Sequence, residues 1–485
     1  MERELFNACR HGKIEEVKEL LQNPQINLII NWENGDYYCA TPLFIACQNG
    51  HIEIVKLLLT NGKIDINKKN KLSKFGSTPF SIACDNGSVD IVELVLNDKR
   101  IDIKQTNSYG QTPFMIACCS GRSKVVKLLL SDEKVDINKP NNNHQTPFYI
   151  VCGNGDIEIV KLLLNDKRVD INKTHSEGET PFYVACKNGH SEIVKLLLND
   201  QRVDINQGNI RTTPFFFACY NGHSEIVKLL LNDNRVDINR ADKWTDRTPF
   251  WIACEKGYIE IVKLSLNNQR VDANKANKEN ETPFFIACKN GHIEIVKLLL
   301  SDEKVDVNQA NNREGYTPLY IACYTGRTEI VKLLLNDKRI DIIKANNYGQ
   351  TPFYVACQNG KIEIVKLLSN DERVDINKVN RDGWTPFHTA CLRSDFQIME
   401  YLLAHGREID LNAKNRFGKM AIDFAREKKV KEKEPWESEE EFQQRITKWT
   451  KFVELLESFE RNPDETRFKL RIQLGFAGNN LYYLF

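Results

Sequence analysis

Four histidines, His51, His190, His223 and His292, each stand directly after a glycine. Twelve of the fourteen cysteines (Cys9, Cys47, Cys84, Cys118, Cys152, Cys186, Cys219, Cys254, Cys288, Cys323, Cys357 and Cys391) recur at one place in a repeated phrase. Imidazole and thiolate are zinc ligands, and a thiolate beside an imidazole is a nucleophile. The spacing argues against both uses. If the phrases stack one helix diameter apart, about 10 Å, neighbouring thiols are too distant for a disulfide or for four Zn–S bonds of about 2.3 Å. Each cysteine then reads as a small buried hydrophobe, and Cys39 and Cys119, outside the row, are too few for a framework. His292-Ile293-Glu294 matches part of a zinc-deaminase signature whose Pro-Cys-x-x-Cys partner is missing. The chain has no phosphate-binding glycine loop, no Cys-x-x-Cys pair and no Gly-x-Ser-x-Gly elbow. No catalytic residue and no metal ligand is nominated, no cofactor is required, and the chain reads as a non-enzyme.

The elements that carry these residues follow from the phrase itself, TPFYVACKNGHSEIVKLLLNDQRVDIN at residues 180–206. Eleven Thr-Pro pairs set its register, with prolines at 42, 79, 113, 147, 181, 214, 249, 283, 318, 352 and 386. A fixed period near 34 residues marks a solenoid. Thr180 suits an N-cap and Pro181 the first helical position, where its missing N–H is not needed. Phe182, Ala185 and Cys186 then form an apolar stripe on a short first helix. Gly189 ends it, because glycine enters the left-handed region without strain. A second helix from Ser191 carries Ile193, Val194, Leu197 and Leu198, with Leu196 adding apolar surface beyond that face. Such a pair cannot bury itself alone and must be packed on both sides by its copies. Val203-Asp204-Ile205-Asn206 alternates into a polar, often glycine-containing stretch, which reads as a short projecting hairpin or turn.

These residues resemble the ankyrin repeat family, whose pattern includes Thr-Pro-Leu-His-x-Ala, two antiparallel helices and a β-turn finger. The resemblance covers about residues 1–460 and predicts an all-α repeat solenoid, a curved, right-angled stack with an enlarged C-terminal capping helix. Counting a first copy at Glu4–Gly12 without Thr-Pro and a last at Gly418–Ala425 gives thirteen units. The resemblance also implies that His after the repeat glycine serves the structure. Two departures stand out. The usual Thr-Pro-Leu-His histidine becomes Phe44, Ser81, Met115, Tyr149, Tyr183, Phe216, Trp251, Phe285, Tyr320 and Tyr354, with only His388 keeping it, and this column is expected to pack between repeats. After the second helix stands Asn-Asp-Lys-Arg or similar, as at Asn165 to Arg168, where a glycine is usual; a slightly longer outer loop should accommodate it. The Val-Asp-Ile-Asn asparagine, as at Asn138 and Asn308, resembles a site that asparaginyl hydroxylases modify in some members. Asn172-Lys173-Thr174 fits a glycosylation acceptor but reads as ordinary loop.

The expected organisation is an N-terminal capping repeat at 1–38, an array at 39–415 and a C-terminal repeat at 416–460, followed by a tail at 461–485 left undecided with helix favoured. Residues 426–437, REKKVKEKEPWE, read as a charged loop. After it Ser438 with Glu441 forms a capping box, and Phe442, Ile446, Trp449, Val453 and Leu456 make an amphipathic helix over 438–460.

Lys plus Arg number 67 against 66 Asp plus Glu, a net charge of +1 that offers no global field for nucleic acid. No apolar run approaches the roughly 18 residues of a membrane span, and the start lacks a signal profile. The expectation is a monomeric intracellular protein, cytoplasmic with the nucleus also open, that neither binds nucleic acid nor inserts in a membrane. Its function reads as a non-catalytic scaffold binding a protein partner; the alternatives are an adaptor whose region 426–485 recruits a signalling or ubiquitin-pathway effector, and a mechanical spacer. The resemblance implies that partners meet the finger tips and the two residues before the helix-one glycine. Carried to this chain, that nominates Phe75, Tyr109, Glu177, Lys187, Trp244, Glu255, Lys256, Arg313, Tyr316, Tyr348, Gln358, Arg381 and Trp384. The aromatic tips either stand exposed as binding anchors or pack on the next finger. Fingers 141–146, 207–213 and 240–247, where His144, Arg211 and Asp246 replace the tip glycine, are expected to have altered shapes.

Overall fold

The computed structural model describes residues 1–70 and 76–476. Among them are 28 α-helices and no strand, only an isolated bridge between Asn34 and Ala40. The described fingers are therefore turns rather than hairpins. The chain divides into two compact units, 1–244 and 245–485. The first stacks seven helix pairs, from Glu2–His11 with Ile14–Leu21 to Pro214–Tyr220 with Ser224–Leu231. The second stacks six, from Pro249–Lys256 with Ile259–Leu266 to Ala421–Val430 with Glu439–Arg461. Within each unit, first helices pack on neighbouring first helices and second on second.

Each first helix starts as its sequence dictates. Thr180 Oγ1 accepts the Tyr183 amide at 3.1 Å with Pro181 in the first turn, and Gly189 closes the helix at φ 87°. Phe182, Ala185, Cys186, Ile193, Val194 and Leu197 are fully buried or nearly so. All fourteen cysteines are unpaired, and burial pushes the row's thiols up, Cys9 to about 12.

Hydrogen bonds from side chain to backbone join one repeat to the next. Asn172 Nδ2 donates to the Arg202 carbonyl at 2.7 Å, and its Oδ1 accepts the Asp204 amide at 2.9 Å. Asn31, Asn67, Asn138, Asn206, Asn274, Asn308 and Asn377 each make the same two bonds to the following repeat. Lys104 and Ile343 stand where the asparagine would be, so those two steps lack the rung.

The outer loop makes a second link. Arg168 Nη2 donates to Asp166 Oδ2 at 2.6 Å and reaches back to the Leu130 carbonyl at 2.8 Å, at the open end of the preceding second helix. Arg100, Arg202, Arg339 and Arg373 do likewise with Leu59, Leu164, Leu300 and Leu335. The extra loop residue is thus an Asp-x-Arg clip on the helix end that a glycine would otherwise close. The arginine hydrogen bond holds Asp98, Asp166, Asp200, Asp337 and Asp371 below the usual carboxylate range.

At the C-terminus one expectation is corrected. Residues 426–430 belong to helix Ala421–Val430, and the charged connection begins only at Lys431. Lys428 and Lys429 lie in the last helical turn, where cations favour the helix dipole and long straight side chains favour the helix. Ser438 and Glu441 form the capping box of helix Glu439–Arg461, which buries Trp449, Phe452, Val453, Leu456 and Phe459. Helix Pro463–Gln473 follows, packed on Phe396–Ala404 and on Glu439–Arg461. Residues 477–485 of the tail lie outside the described residues.

Asn172→Ala should lower stability by about 1–2 kcal/mol, the worth of two ordinary hydrogen bonds, and Ile343→Asn, which restores a rung, should raise the urea midpoint; an unchanged midpoint in both would remove the ladder's role. For the clips, a lowered folded pKa means that the folded chain binds fewer protons than the unfolded one. Their stabilisation is complete above the unfolded carboxylate value of about 3.9 and is lost as pH falls through the folded value. Asp166→Asn should therefore be less stable than the parent at neutral pH, with the difference shrinking once pH falls below the ordinary carboxylate value; urea curves at neutral and at acid pH check it.

Candidate protein-binding surface

The residues with chemical potential are used up by the architecture. Nε2 of His190 donates to the Gly153 carbonyl at 2.8 Å, and Asn188 Nδ2 donates to the same oxygen at 2.8 Å. His51 with Asn49, His223 with Asn221 and His292 with Asn290 do the same to Arg10, Lys187 and Glu255. Each target is a carbonyl near the open end of a first helix, unsatisfied within its own repeat. A carbonyl only accepts, so the imidazole must carry its proton on Nε2. In two repeats arginine takes over: Arg122 Nε reaches the Asp85 carbonyl at 2.7 Å, and Arg327 Nε the Lys289 carbonyl at 3.2 Å. Among the described residues no group of three or more His, Cys, Asp or Glu is placed to hold a metal ion.

The Thr-Pro-Leu-His column also faces inward. Tyr149 donates to Glu179 Oε2 at 2.8 Å, Tyr320 to Gln350 Oε1 at 3.2 Å, and Trp251 Nε1 to the Glu281 carbonyl at 2.9 Å, each in the following repeat. Buried Glu179 also holds Lys187 at 2.8 Å. An inter-repeat hydroxyl or indole thus replaces the usual imidazole.

Most of the described fingers are Asx turns, and in the finger 173–179 His175 Nδ1 takes the asparagine's place by accepting the Glu179 amide at 3.2 Å. Asn107 Oδ1 accepts the amides of Tyr109 and Gln111 at 3.0 and 2.9 Å, and Gly110 takes the left-handed conformation at φ 74°. His144 (φ 61°), Asp246 (φ 56°) and Asn280 (φ 60°) adopt that same conformation where glycine is missing. Fingers 141–146 and 240–247 are therefore not marked out by a changed tip conformation, contrary to the expectation. Tips bond to their neighbours through the backbone: Asn142 N to Tyr109 O at 2.9 Å in the first unit; Asn347 N to Glu314 O at 2.8 Å and Arg381 N to Tyr348 O at 3.0 Å in the second.

The nominated residues separate by exposure. In the first unit Tyr109 is 47% exposed and Trp244 60%, and Glu177 is also exposed, whereas Lys187 is half-buried beside Glu179. Phe75 lies outside the described residues. In the second unit Tyr348 is 56% exposed, and Lys256, Arg313 and Arg381 are open to solvent. Glu255, held 3.5 Å from Arg247, and Gln358 are half-buried. Tyr316 stacks on Tyr320 with ring centroids 4.4 Å apart, and Trp384 packs 5.0 Å from Phe424. Those two rings close against their own or the next repeat, while Tyr109, Trp244 and Tyr348 keep about half or more of their surface open to solvent.

Several exposed rings went unnominated. Tyr220 and Tyr324 occupy the same repeat position as Lys187 and Gln358, so carrying that position through every repeat would have found them. Tyr38, Ile210 and Phe417 are exposed finger residues of the same kind. Ser77, Ser81 and Ser120 are small, and beside them the first unit has a groove of about 850 Å³ lined also by Tyr38, Phe44, Ile82, Ile116 and Cys119. Burial pushes the Cys119 thiol up to about 11, which leaves it unreactive near neutral pH.

A stack of helix pairs in which donors from one pair reach back to the open helix ends of the pair before it, with outward side chains that vary at the tips, defines a repeat solenoid. The chain belongs to the ankyrin repeat family: a model of ankyrin repeats (3 copies) matches residues 4–70, 64–141, 133–209, 202–275, 250–346 and 340–415. A search of curated proteins returns no match. Ankyrin repeats are protein–protein interaction modules, and no described helix is long and apolar enough to cross a membrane.

Because arginine does the histidine's task in two repeats, His190→Arg should leave the urea midpoint nearly unchanged. His190→Ala, which leaves the Gly153 carbonyl with one donor fewer, should lower stability by about 1 kcal/mol. Equal midpoints for the two variants would show the histidine row to be dispensable for the stack.

Proposed function

We propose that the array is a non-catalytic scaffold that holds a protein partner on its finger tips and first-helix ends. The observation that carries this reading is the division of labour among side chains. Residues repeated from copy to copy are consumed in packing and inter-repeat hydrogen bonds, while Tyr109, Trp244 and Tyr348 project from turns whose backbones are already tied down. Aromatic side chains on a rigid support lose little conformational freedom on binding and bury large areas, which is why they recur in binding hot spots. The titratable and thiol groups that could do chemistry are the ones the stack uses for itself.

A second reading, the adaptor, draws support from the C-terminal helices. Trp436 in the charged connection is exposed, as are Phe468 and Ile472 one turn apart on helix Pro463–Gln473. On this reading the array selects a target and the last two helices engage a different protein.

Affinity capture with the full-length chain separates the two. Replacing the three exposed tip rings (Tyr109→Ser, Trp244→Ser, Tyr348→Ser) should abolish capture of the target with the unfolding midpoint nearly unchanged. Phe468→Ser with Ile472→Ser should spare that target and, on the adaptor reading alone, remove a second protein. A target retained by the triple variant would overturn binding through the tips.

A further inference from the structure

One finger of the first unit breaks the pattern. Six residues, Gln207 to Thr212, separate Asn206 from Thr213, where the fingers at 139–145 and 173–179 have seven. With one residue fewer, none of the six takes the left-handed conformation. Asn209 instead organises the turn: its Oδ1 accepts the amides of Arg211 and Thr212 at 2.9 and 2.8 Å, and its Nδ2 is anchored on the Tyr183 hydroxyl at 2.8 Å. The chain doubles back so closely that a Cβ on Gly208 would lie 1.8 Å from the Thr212 carbonyl oxygen, so only glycine fits there.

The shortened turn leaves a notch of about 300 Å³. Its lining includes Gln207 and Gly208 and three cations, Arg211, Arg240 and Lys243. The Arg211 guanidinium lies 3.6 Å from the centroid of the Trp244 ring, which positions the cation without neutralising it. Neither Arg211 nor Arg240 is paired with a carboxylate among the described residues. The acid in the lining, Asp204, already accepts the amides of Asn206 and Gln207 at 3.1 and 3.0 Å. Exposed Ile210 and Trp244 stand beside the notch on the same turns.

We infer that this notch receives an acidic side chain, the carboxylate of an Asp or Glu on an extended segment of the partner protein, with Ile210 and Trp244 as apolar shoulders for its neighbours. The inference rests on the reading of the array as protein-binding and names the chemistry of one part of that surface. A planar guanidinium held on a ring face is suited to bidentate recognition of a carboxylate. A long polyanion is disfavoured: Asp204 lines the notch, and exposed Glu177 lies on the adjoining finger, where Gly178 would place a Cβ 3.8 Å from Asn209.

The test uses the full-length chain and a fluorescein-labelled octapeptide of alternating Glu and Ser, beside versions with Gln or phosphoserine in place of Glu, read by fluorescence anisotropy. The Glu peptide should bind at least about tenfold more tightly than the Gln peptide, with the preference weakening as salt rises. Arg211→Gln with Arg240→Gln should erase the preference, and Lys161→Gln with Lys195→Gln, exposed cations on the second helices, should leave it. Equal affinity for the Glu and Gln peptides, or a preference that survives Arg211→Gln with Arg240→Gln, overturns the inference. Tighter binding of the phosphoserine peptide than of the Glu peptide overturns it in favour of a phosphate site. If the peptides show no preference while the triple tip variant still loses its captured target, this inference falls and the wider reading stands.

Discussion

A first helix ends in carbonyls that its own ladder leaves open, and much of the architecture turns on supplying partners for them from the copy that follows. An unpaired buried carbonyl forfeits about 1–3 kcal/mol, a large share of a domain's marginal stability. The Asn-Gly-His triplet meets this demand by aiming two donors back at one oxygen, as Asn188 and His190 do at Gly153. The Asp-x-Arg clip does the same for the second helix, and the Val-Asp-Ile-Asn asparagine ties the intervening loop forward. One repeat is thus held at three heights by side chains of its neighbours. That explains why the phrase is copied at these polar positions as well as at apolar ones: the asparagine, histidine and arginine are each half of a bond whose other half lies in the adjacent repeat.

The same constraint decides where the sequence is free to change. Arginine can replace histidine in the triplet because both reach the carbonyl with an N–H donor. Alanine could not. At the tips the backbone is fixed by the Asx turn and by its bond to the next finger, so the outward side chain carries no structural duty and varies from Ser to Tyr to Arg. The finger at 207–212 goes further and sheds a residue, yet it stays anchored through Asn209 on Tyr183 and through Arg211 O to the Lys243 amide at 3.1 Å.

Much of this was legible in one dimension. Period, caps, helix faces and the structural nature of the cysteine row all rest on local spacing. The side-chain direction at a tip does not. Tyr316 and Tyr348 are both finger aromatics, but Tyr316 precedes Thr317 directly and finds the Tyr320 ring four residues on, whereas Tyr348 stands two residues further from its threonine and reaches solvent. Trp384 turns inward because Phe424 of the following repeat offers a face, a partner 40 residues away that no local pattern reveals. The left-handed His144 and Asp246 show the reverse error: an unfavourable residue is held in the glycine conformation because the surrounding bonds over-determine the turn.

Fixing each finger to its neighbour through the backbone has a consequence for binding. A loop that orders only on contact gives up part of its interaction energy to lost freedom, about 0.5–1.5 kcal/mol for each immobilised flexible side chain and more for backbone. Here the turn is ordered before any partner arrives, and the outward Tyr and Trp side chains have two χ angles each. The loss on binding is then small, and most of the area a ring buries counts toward affinity. Because the bonds that order the turn come from Asn107 and its counterparts rather than from the tip residue, tip chemistry can change without loosening the stack. Separating the atoms that hold the fold from the side chains that face outward is what lets one repeated phrase present a different surface at successive steps.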